Sequence, residues 1–146
     1  MKFHQGRAWP VVGPIIKKLH DNGYQAYIVG GAVRDMFLGL DPSDVDILTN
    51  ALPKSVQTLF VGQKTKQVGK TFSITLVNGV EVASCRSNGA GLPFPESDLA
   101  MRDFTMNSMA WDSSTGSLVD PFKGKQDLEK NIIRFTGRPE DRINED

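Results

Sequence analysis

The dipeptide Asn78-Gly79 constrains the folds open to this chain more than any other feature of its sequence. Asn and Gly both tolerate the positive φ angles of the two-residue turn that joins antiparallel strands. Ahead of it Phe72, Ile74 and Leu76 alternate with Thr71, Ser73 and Thr75, and behind it the alternating run extends from Val80 to Arg86. Period-two alternation on both sides of such a turn predicts a hairpin, so the fold must contain a sheet.

The rest of the chain supplies helices and strands that are not joined by hairpins. Val11, Val12, Ile15, Ile16 and Leu19 recur at helical spacing and meet a stop at Asn22-Gly23, which predicts an opening amphipathic helix. Tyr24 to Val29 reads as a buried strand, Gly30-Gly31 as the turn after it, and Ala32 to Leu38 as a brief helix ended by Gly39. Asp44 to Thr49 is the next predicted strand. Pro53 opens a helix that turns Val56, Leu59 and Phe60 inward and ends at Gly62. Beyond the hairpin, Asn88 to Pro95 reads as a loop and Ser97-Asp98 as the start of a helix running to about Ala110. A strand at Leu118-Val119, a loop at Pro121 to Gly124, a helix at Gln126 to Lys130 and a strand at Ile132 to Thr136 follow, with Pro139 opening a last helix toward Asp146. Mixed connections of this kind indicate an α/β or α+β fold with a mixed sheet.

Composition narrows the functional classes. Lys plus Arg equal Asp plus Glu at 17 each, so the chain as a whole lacks the basic excess that marks many nucleic-acid binders. Contact with RNA must then be local or involve other domains. Cys85 is the single cysteine of the sequence, which excludes an internal disulfide and a thiolate-rich zinc site and fits a reducing compartment. No apolar run approaches the roughly 20 residues that span a bilayer, and Met1 to Pro10 is too polar for a signal peptide. A cytoplasmic protein without a membrane partner is expected.

The chemistry is carried by carboxylates. In Ser43-Asp44-Val45-Asp46-Ile47, a strand sends Asp44 and Asp46 to one face and Val45 and Ile47 to the other. Two acids that share one small space resist ionising together unless a divalent cation neutralises them, and Mg²⁺ prefers such oxygens together with substrate phosphates. For a bare Asp-x-Asp, two solvated acids at a strand edge are the commoner reading. Gly30-Gly31-Ala32-Val33-Arg34-Asp35 lies between a strand and a helix just upstream. Small residues there admit a phosphate to backbone N–H groups and Arg34 offers a charged fork; the alternative is a tight turn with an Arg34–Asp35 surface ion pair. Glu81 shares its strand face with Ala83 and Cys85, and either joins the acidic cluster or lies on an exposed hairpin face. Gly69-Lys70-Thr71 lacks the glycine spacing of a Walker A loop. His4 and His20 have no partner at metal-ligand spacing.

Taken together, Gly30-Gly31-Ala32-Val33-Arg34-Asp35, Leu38-Gly39, Asp44-Val45-Asp46 and Thr49 resemble the signature of the class II tRNA nucleotidyltransferase and bacterial poly(A) polymerase family. The resemblance continues through Val80 to Arg86, Asp98 to Ala110, Val119-Asp120-Pro121-Phe122 with Gly124, Asp127-Leu128, and Ile133-Arg134 through Arg142. It implies a palm-like catalytic head, residues 1–138, with a small mixed, mainly antiparallel sheet packed by helices, and the start of a neck helix over 139–146. It implies Asp44 and Asp46 as ligands of two Mg²⁺ ions, with Glu81 supporting the acidic cluster. Gly30, Gly31 and Arg34 would lie near the triphosphate of CTP or ATP, Arg102 and Asp103 would line the nucleotide site, and Asn107 would sit near the ribose. Glu145-Asp146 resembles the start of the family's base-reading motif, in which an Asp, here Asp146, acts with an Arg three residues later. The partner implied is the 3′ end of tRNA, held largely by neck, body and tail domains.

Two departures from the family pattern stand out. Met101 occupies a place where the family usually has a second arginine. Ser87 to Glu96 is shorter than the family's usual flexible loop, and in the family a shortened loop goes with enzymes that add only CC. A poly(A) polymerase head and a catalytically silent nucleotide- or RNA-binding module are the alternatives.

Overall fold

The computed structural model describes residues 3–68, 73–85 and 92–136. Its frame is a seven-stranded sheet of β1 (Ala26–Val29), β2 (Asp46–Thr49), β3 (Thr65–Val68), β4 (Ile74–Val77), β5 (Val80–Ser84), β6 (Ala110–Asp112) and β7 (Ser117–Val119), ordered β3-β4-β5-β2-β1-β6-β7. Every neighbouring pair is antiparallel except β2 and β5, which run parallel. The mixed, mainly antiparallel sheet packed by helices is therefore the fold that the sequence predicts.

The predicted hairpin forms with its two-residue turn. Val77 pairs with Val80, and Asn78 and Gly79 take φ angles of 51° and 84°, the left-handed values that match the twist of the flanking strands. The helix α1 (Trp9–Asp21) buries Val12, Ile15, Ile16 and Leu19, while Val11 turns 43% of its surface to solvent and leaves the predicted stripe. These side chains pack with Ile28, Ile47, Val82 and Val56 of α3 (Pro53–Leu59) on one face of the sheet. Each fully buried aliphatic there contributes about 1.5–3 kcal/mol by leaving water, and Leu19→Ala at the centre would cost about 2–5 kcal/mol. The opposite face carries a smaller core of Val29, Leu48, Leu99 and Ala110, flanked by Tyr27, Ala83 and Phe94. It leaves part of that face open for chemistry.

Several sequence expectations are corrected. The first predicted strand begins at Ala26 rather than Tyr24, and β2 begins at Asp46, so Asp44 precedes it. The strand β3 lies between Gly62 and Thr71, where the sequence predicts no element; its exposed edge is too polar to show alternation. The largest correction concerns 97–110, which is not one helix. It comprises the short α4 (Glu96–Leu99), a 3-10 turn at Thr105–Asn107 and then β6. Tertiary pairing overrides the local pattern. Phe104 is extended (φ −117°, ψ 145°) and bridges Phe135, the Thr105 N–H donates to the Arg134 carbonyl, and the Thr136 N–H donates to the Asp103 carbonyl. The predicted strand at Ile132 to Thr136 is reduced to that single bridge. After β7 comes α5 (Gly124–Glu129), as predicted to within two residues. The helix predicted from Pro139 and the segment Gly69-Lys70-Thr71 lie outside the described residues. No helix among the described residues is long and apolar enough to cross a membrane.

Candidate active site

Strand register brings two of the predicted acids together. Val29 pairs with Asp46, Ile47 with Val82 in the parallel pair, Leu76 with Glu81 and Lys66 with Leu76. Side chains on one face of a sheet line up across paired strands, so Val29, Asp46, Glu81, Leu76 and Lys66 form one row on the open face. Asp46 and Glu81 occupy adjacent strands, about 5 Å apart in the pairing direction. They share a hydrogen bond, and Asp46 is pushed up to about 6 by burial, by the charge of Glu81 and, more weakly, by Asp44, against the lowering effect of Arg102. Asp44 lies exposed just before the strand, on the same side of the chain as Asp46, because Val45 and Ile47 point into the core.

Arg102 faces this row, and Arg34 lies beside the Gly30-Gly31 turn, linked to the same cleft through Asn107. Gly30 has φ 73°, a conformation that side chains disfavour, and a Cβ there would stand 3.5 Å from Nη1 of Arg102. A Cβ on Gly31 would stand 3.2 Å from Nη2 of Arg34. Both guanidinium groups thus lie close to the turn at the start of α2 (Gly31–Phe37), Arg34 more tightly than Arg102. Arg34 donates from Nε and Nη2 to Oδ1 of Asp35 at 3.0 and 2.9 Å, and from Nη1 to Oδ1 of Asn107 at 3.2 Å. The ion pair with Asp35 therefore exists, and it orients Arg34 rather than removing it from the site. Arg102 is held by Asp98 one helical turn earlier, with N···O distances of 3.3 and 3.2 Å.

Asp46 and Glu81 form the divide between two clefts. One, of about 550 Å³, is bordered by Asp98, Met101, Arg102, Asp103 and Asn107. The other, of about 640 Å³, is bordered by Arg7, Ser43, Asp44, Leu76 and the Asn78-Gly79 turn. Asp46 and Glu81 line both. Gly30, Gly31 and Arg34 do not line the first cleft themselves; Gly30 lies beside Arg102, and Arg34 reaches the cleft's Asn107 by its hydrogen bond. Asp146 lies outside the described residues. Among the described residues no three carboxylate, imidazole or thiol groups form a closed metal cage. What Asp46, Glu81 and Asp44 offer is an open acidic edge of hard oxygen ligands, which suits an ion that takes the rest of its coordination from phosphate and water. The raised Asp46 carboxyl reflects burial first and the neighbouring Glu81 charge second.

Sequence reasoning missed the residues that hold this site in place. Asp98 anchors Arg102 at i,i+4 spacing, a signal present in the sequence. Asp127, only 5% exposed, accepts from the Thr105 hydroxyl at 2.7 Å and from Nε of Arg134 at 3.0 Å. Those bonds hold its carboxyl below the usual range. They tie the segment from Asp103 to Asn107 to α5, and no local pattern announces them.

Comparison with known proteins agrees with this architecture. Residues 26–134 match the family model of the poly(A) polymerase head domain. The chain is 40% identical over 136 residues to a CC-adding tRNA nucleotidyltransferase of Halalkalibacterium halodurans, covering 90% of this chain and 34% of that protein. It is 41% identical over 147 residues to a CCA-adding enzyme of Geobacillus thermodenitrificans, covering 90% and 36%. The crystal structure of the Bacillus stearothermophilus CCA-adding enzyme in complex with CTP superposes with a TM-score of 0.84 at 40% identity, over 96% of this chain and 36% of that one. The chain thus spans about a third of the length of the curated relatives it matches. With the family model covering most of its sequence, from β1 to Arg134, the chain belongs to the poly(A) polymerase head-domain family.

Proposed function

We propose that this chain is the catalytic head, residues 1–138, of a template-independent nucleotidyltransferase that adds C, from CTP, to the 3′ end of tRNA. The observation that carries the proposal is the pair Asp46–Glu81 in one cleft with Arg102, with Arg34 tied to that cleft by its hydrogen bond to Asn107 beside the Gly30-Gly31 turn. Carboxylates for metal on one side and arginines for phosphate on the other are the parts that phosphoryl transfer needs. Arg34 and Arg102 would hold the triphosphate, with Gly30 and Gly31 admitting it to the turn. Asn107, hydrogen-bonded to Arg34, would meet the ribose, and Asp103 lines the cleft that Asn107 and Arg102 border. Asp44 and Asp46 would hold two Mg²⁺ ions with Glu81 beside them; when bound, such ions lower the pKa of the attacking 3′-hydroxyl and stabilise the departing oxygens. The hydroxyl attacks the α-phosphorus, pyrophosphate leaves, and no covalent enzyme intermediate forms. The single cysteine of the sequence fits a cytoplasmic setting.

Restriction to CC addition is the narrower reading. The alignments to the CC-adding and the CCA-adding relative cover the same 90% of this chain, yet the first runs 136 positions and the second 147. The CCA-adding relative therefore carries insertions that this chain lacks, and the short Ser87 to Glu96 segment is a natural place for them. Full-length protein given Mg²⁺, CTP and ATP should extend a tRNA lacking its CCA end by two C residues and stop. Efficient addition of A to a CC-ending tRNA would remove the CC restriction. Long tails on unmodified RNA with ATP would favour a poly(A) polymerase, the activity for which the family model is named. Transfer that survives Asp44→Ala would remove the metal assignment altogether.

A further inference from the structure

The geometry points to Arg7 as the group that binds the last phosphodiester of the RNA strand, in the cleft on the far side of the Asp46–Glu81 pair. This assignment rests on the transferase reading above and concerns the substrate that reading leaves unplaced. In-line displacement requires the attacking oxygen and the leaving pyrophosphate to lie on opposite sides of the reacting phosphorus. Of the arginines that suit a triphosphate, Arg102 lines the first cleft and Arg34 is tied to it through its hydrogen bond to Asn107. The strand β5 passes from that cleft, where Ala83 and Ser84 line it, to the second one, lined by Val80, with Glu81 shared between them. The attacking hydroxyl must then enter by the second cleft.

That cleft is a hostile place for a polyanion unless something compensates. Asp44, Asp46 and Glu81 border it, and among the described residues that line it Arg7 is the only cation. Its placement is built rather than incidental. The Arg7 N–H reaches both carboxylate oxygens of Asp41 at 3.3 Å, and its Nη2 donates to the Asp41 carbonyl at 2.8 Å. Gly6 makes this possible, since a Cβ there would stand 2.9 Å from Oδ1 of Asp41. The guanidinium is thus tied to Asp41 through Nη2 and by an ion pair at 3.9 Å from Nε, with Nη1 outside these contacts and the side chain 63% exposed. Leu76, facing Glu81 across the hairpin, gives the same cleft an apolar floor on which a ribose or base can rest. A phosphate held at Arg7 directs the adjoining 3′-terminal nucleotide toward the acids.

Steady-state transfer of CTP to tRNA by full-length protein tests this with Arg7→Ala and Arg7→Lys. Arg7→Ala should raise KM for tRNA about tenfold, the loss expected of one charge-assisted contact, and leave KM for CTP unchanged. Its log–log salt dependence for tRNA should flatten by about 0.7, the counterion release of one single-stranded phosphate contact. Arg7→Lys should recover most of the salt slope. If Arg7→Ala lowers the melting temperature while KM for tRNA and the salt slope stay at wild-type values, Arg7 is only a strut and the assignment is wrong. A rise in KM for CTP instead would move Arg7 to the nucleotide side and equally overturn it. Should wild-type protein transfer no nucleotide at all, the transferase reading falls first and takes this assignment with it.

Discussion

Asp46 and Glu81 stand on neighbouring strands of a sheet, whereas Arg102, Asp103 and Asn107 stand on a segment with almost no repeating backbone. The acids are placed by ladder hydrogen bonds on both sides, so that their separation follows from register alone. The facing segment is placed by side chains: Asp127 holding Thr105 and Arg134, Asp98 holding Arg102, and the Phe104–Phe135 ring contact at 5.3 Å. A sheet fixes its acids by backbone register, while the facing segment is fixed by side-chain bonds. The crowded charge sits on the rigid half, and Arg102 and Asn107 sit on the clamped half.

The largest effect that could break this contrast is chemical. Asp46→Asn keeps the register and removes one carboxylate charge; transfer should fall by about a thousandfold or more, since metal-assisted charge stabilisation is worth several kcal/mol. Single-turnover rates at saturating CTP would read it, and near-normal turnover would mean that the row is structural only. Next comes the clamp. Asp127→Ala should raise KM for CTP about ten- to a hundredfold through misplacement of Arg102 and Asn107, with little change in Mg²⁺ dependence. An unchanged KM would show that the segment holds itself. Gly124→Ala probes the same contact from the backbone, because a Cβ there would collide with the carbonyl of Thr105; a loss of about 1–3 kcal/mol in denaturant unfolding is expected.

The smallest effect sharpens the electrostatics. Asp46 sits at about 6 in the fold against an ordinary 3.8, so the folded state holds this proton more tightly than the unfolded chain. Its favourable contribution is complete below the ordinary value and is lost as pH rises through about 6. Asp127, with a lowered carboxyl, acts in the opposite sense: its contribution is present above 3.8 and is lost as pH falls through its folded value. Without divalent ions, Asp46→Asn should therefore melt higher than wild type at about pH 7.5, by roughly 3 °C after allowance for solvent screening. The two should coincide near pH 4, and Mg²⁺ should narrow the gap at the higher pH. Equal melting curves at both pH values would show that neither burial nor Glu81 raises the Asp46 carboxyl.

Much of the rigid half was legible in the sequence. The alternation about Asn78-Gly79, the helical stripe of α1 and the Val45/Ile47 parity are local signals, and each produced its element. The adjacency of Asp46 and Glu81 was not, because β2 and β5 pair across an intervening helix and two strands. The clamped half was misread outright. Leu99, Met106 and Met109 invite a helix, yet Phe104 is extended by partners at 134–136 that no window around it contains. Arg102 and Asn107 entered through family resemblance. Asp127 stayed hidden as a functional support, since its partners Thr105 and Arg134 lie in separate segments.

The parallel pairing of β2 with β5 has a consequence for how the protein is made. When β1, α2 and β2 have left the ribosome, Asp44 and Asp46 exist but Glu81 has not been synthesised, so the early intermediate carries no triple crowding of acids. Repulsion between Asp46 and Glu81 arises only when the hairpin docks against β2 in register. The crowded acidic edge is by that logic a property of the finished sheet and of no peptide cut from it.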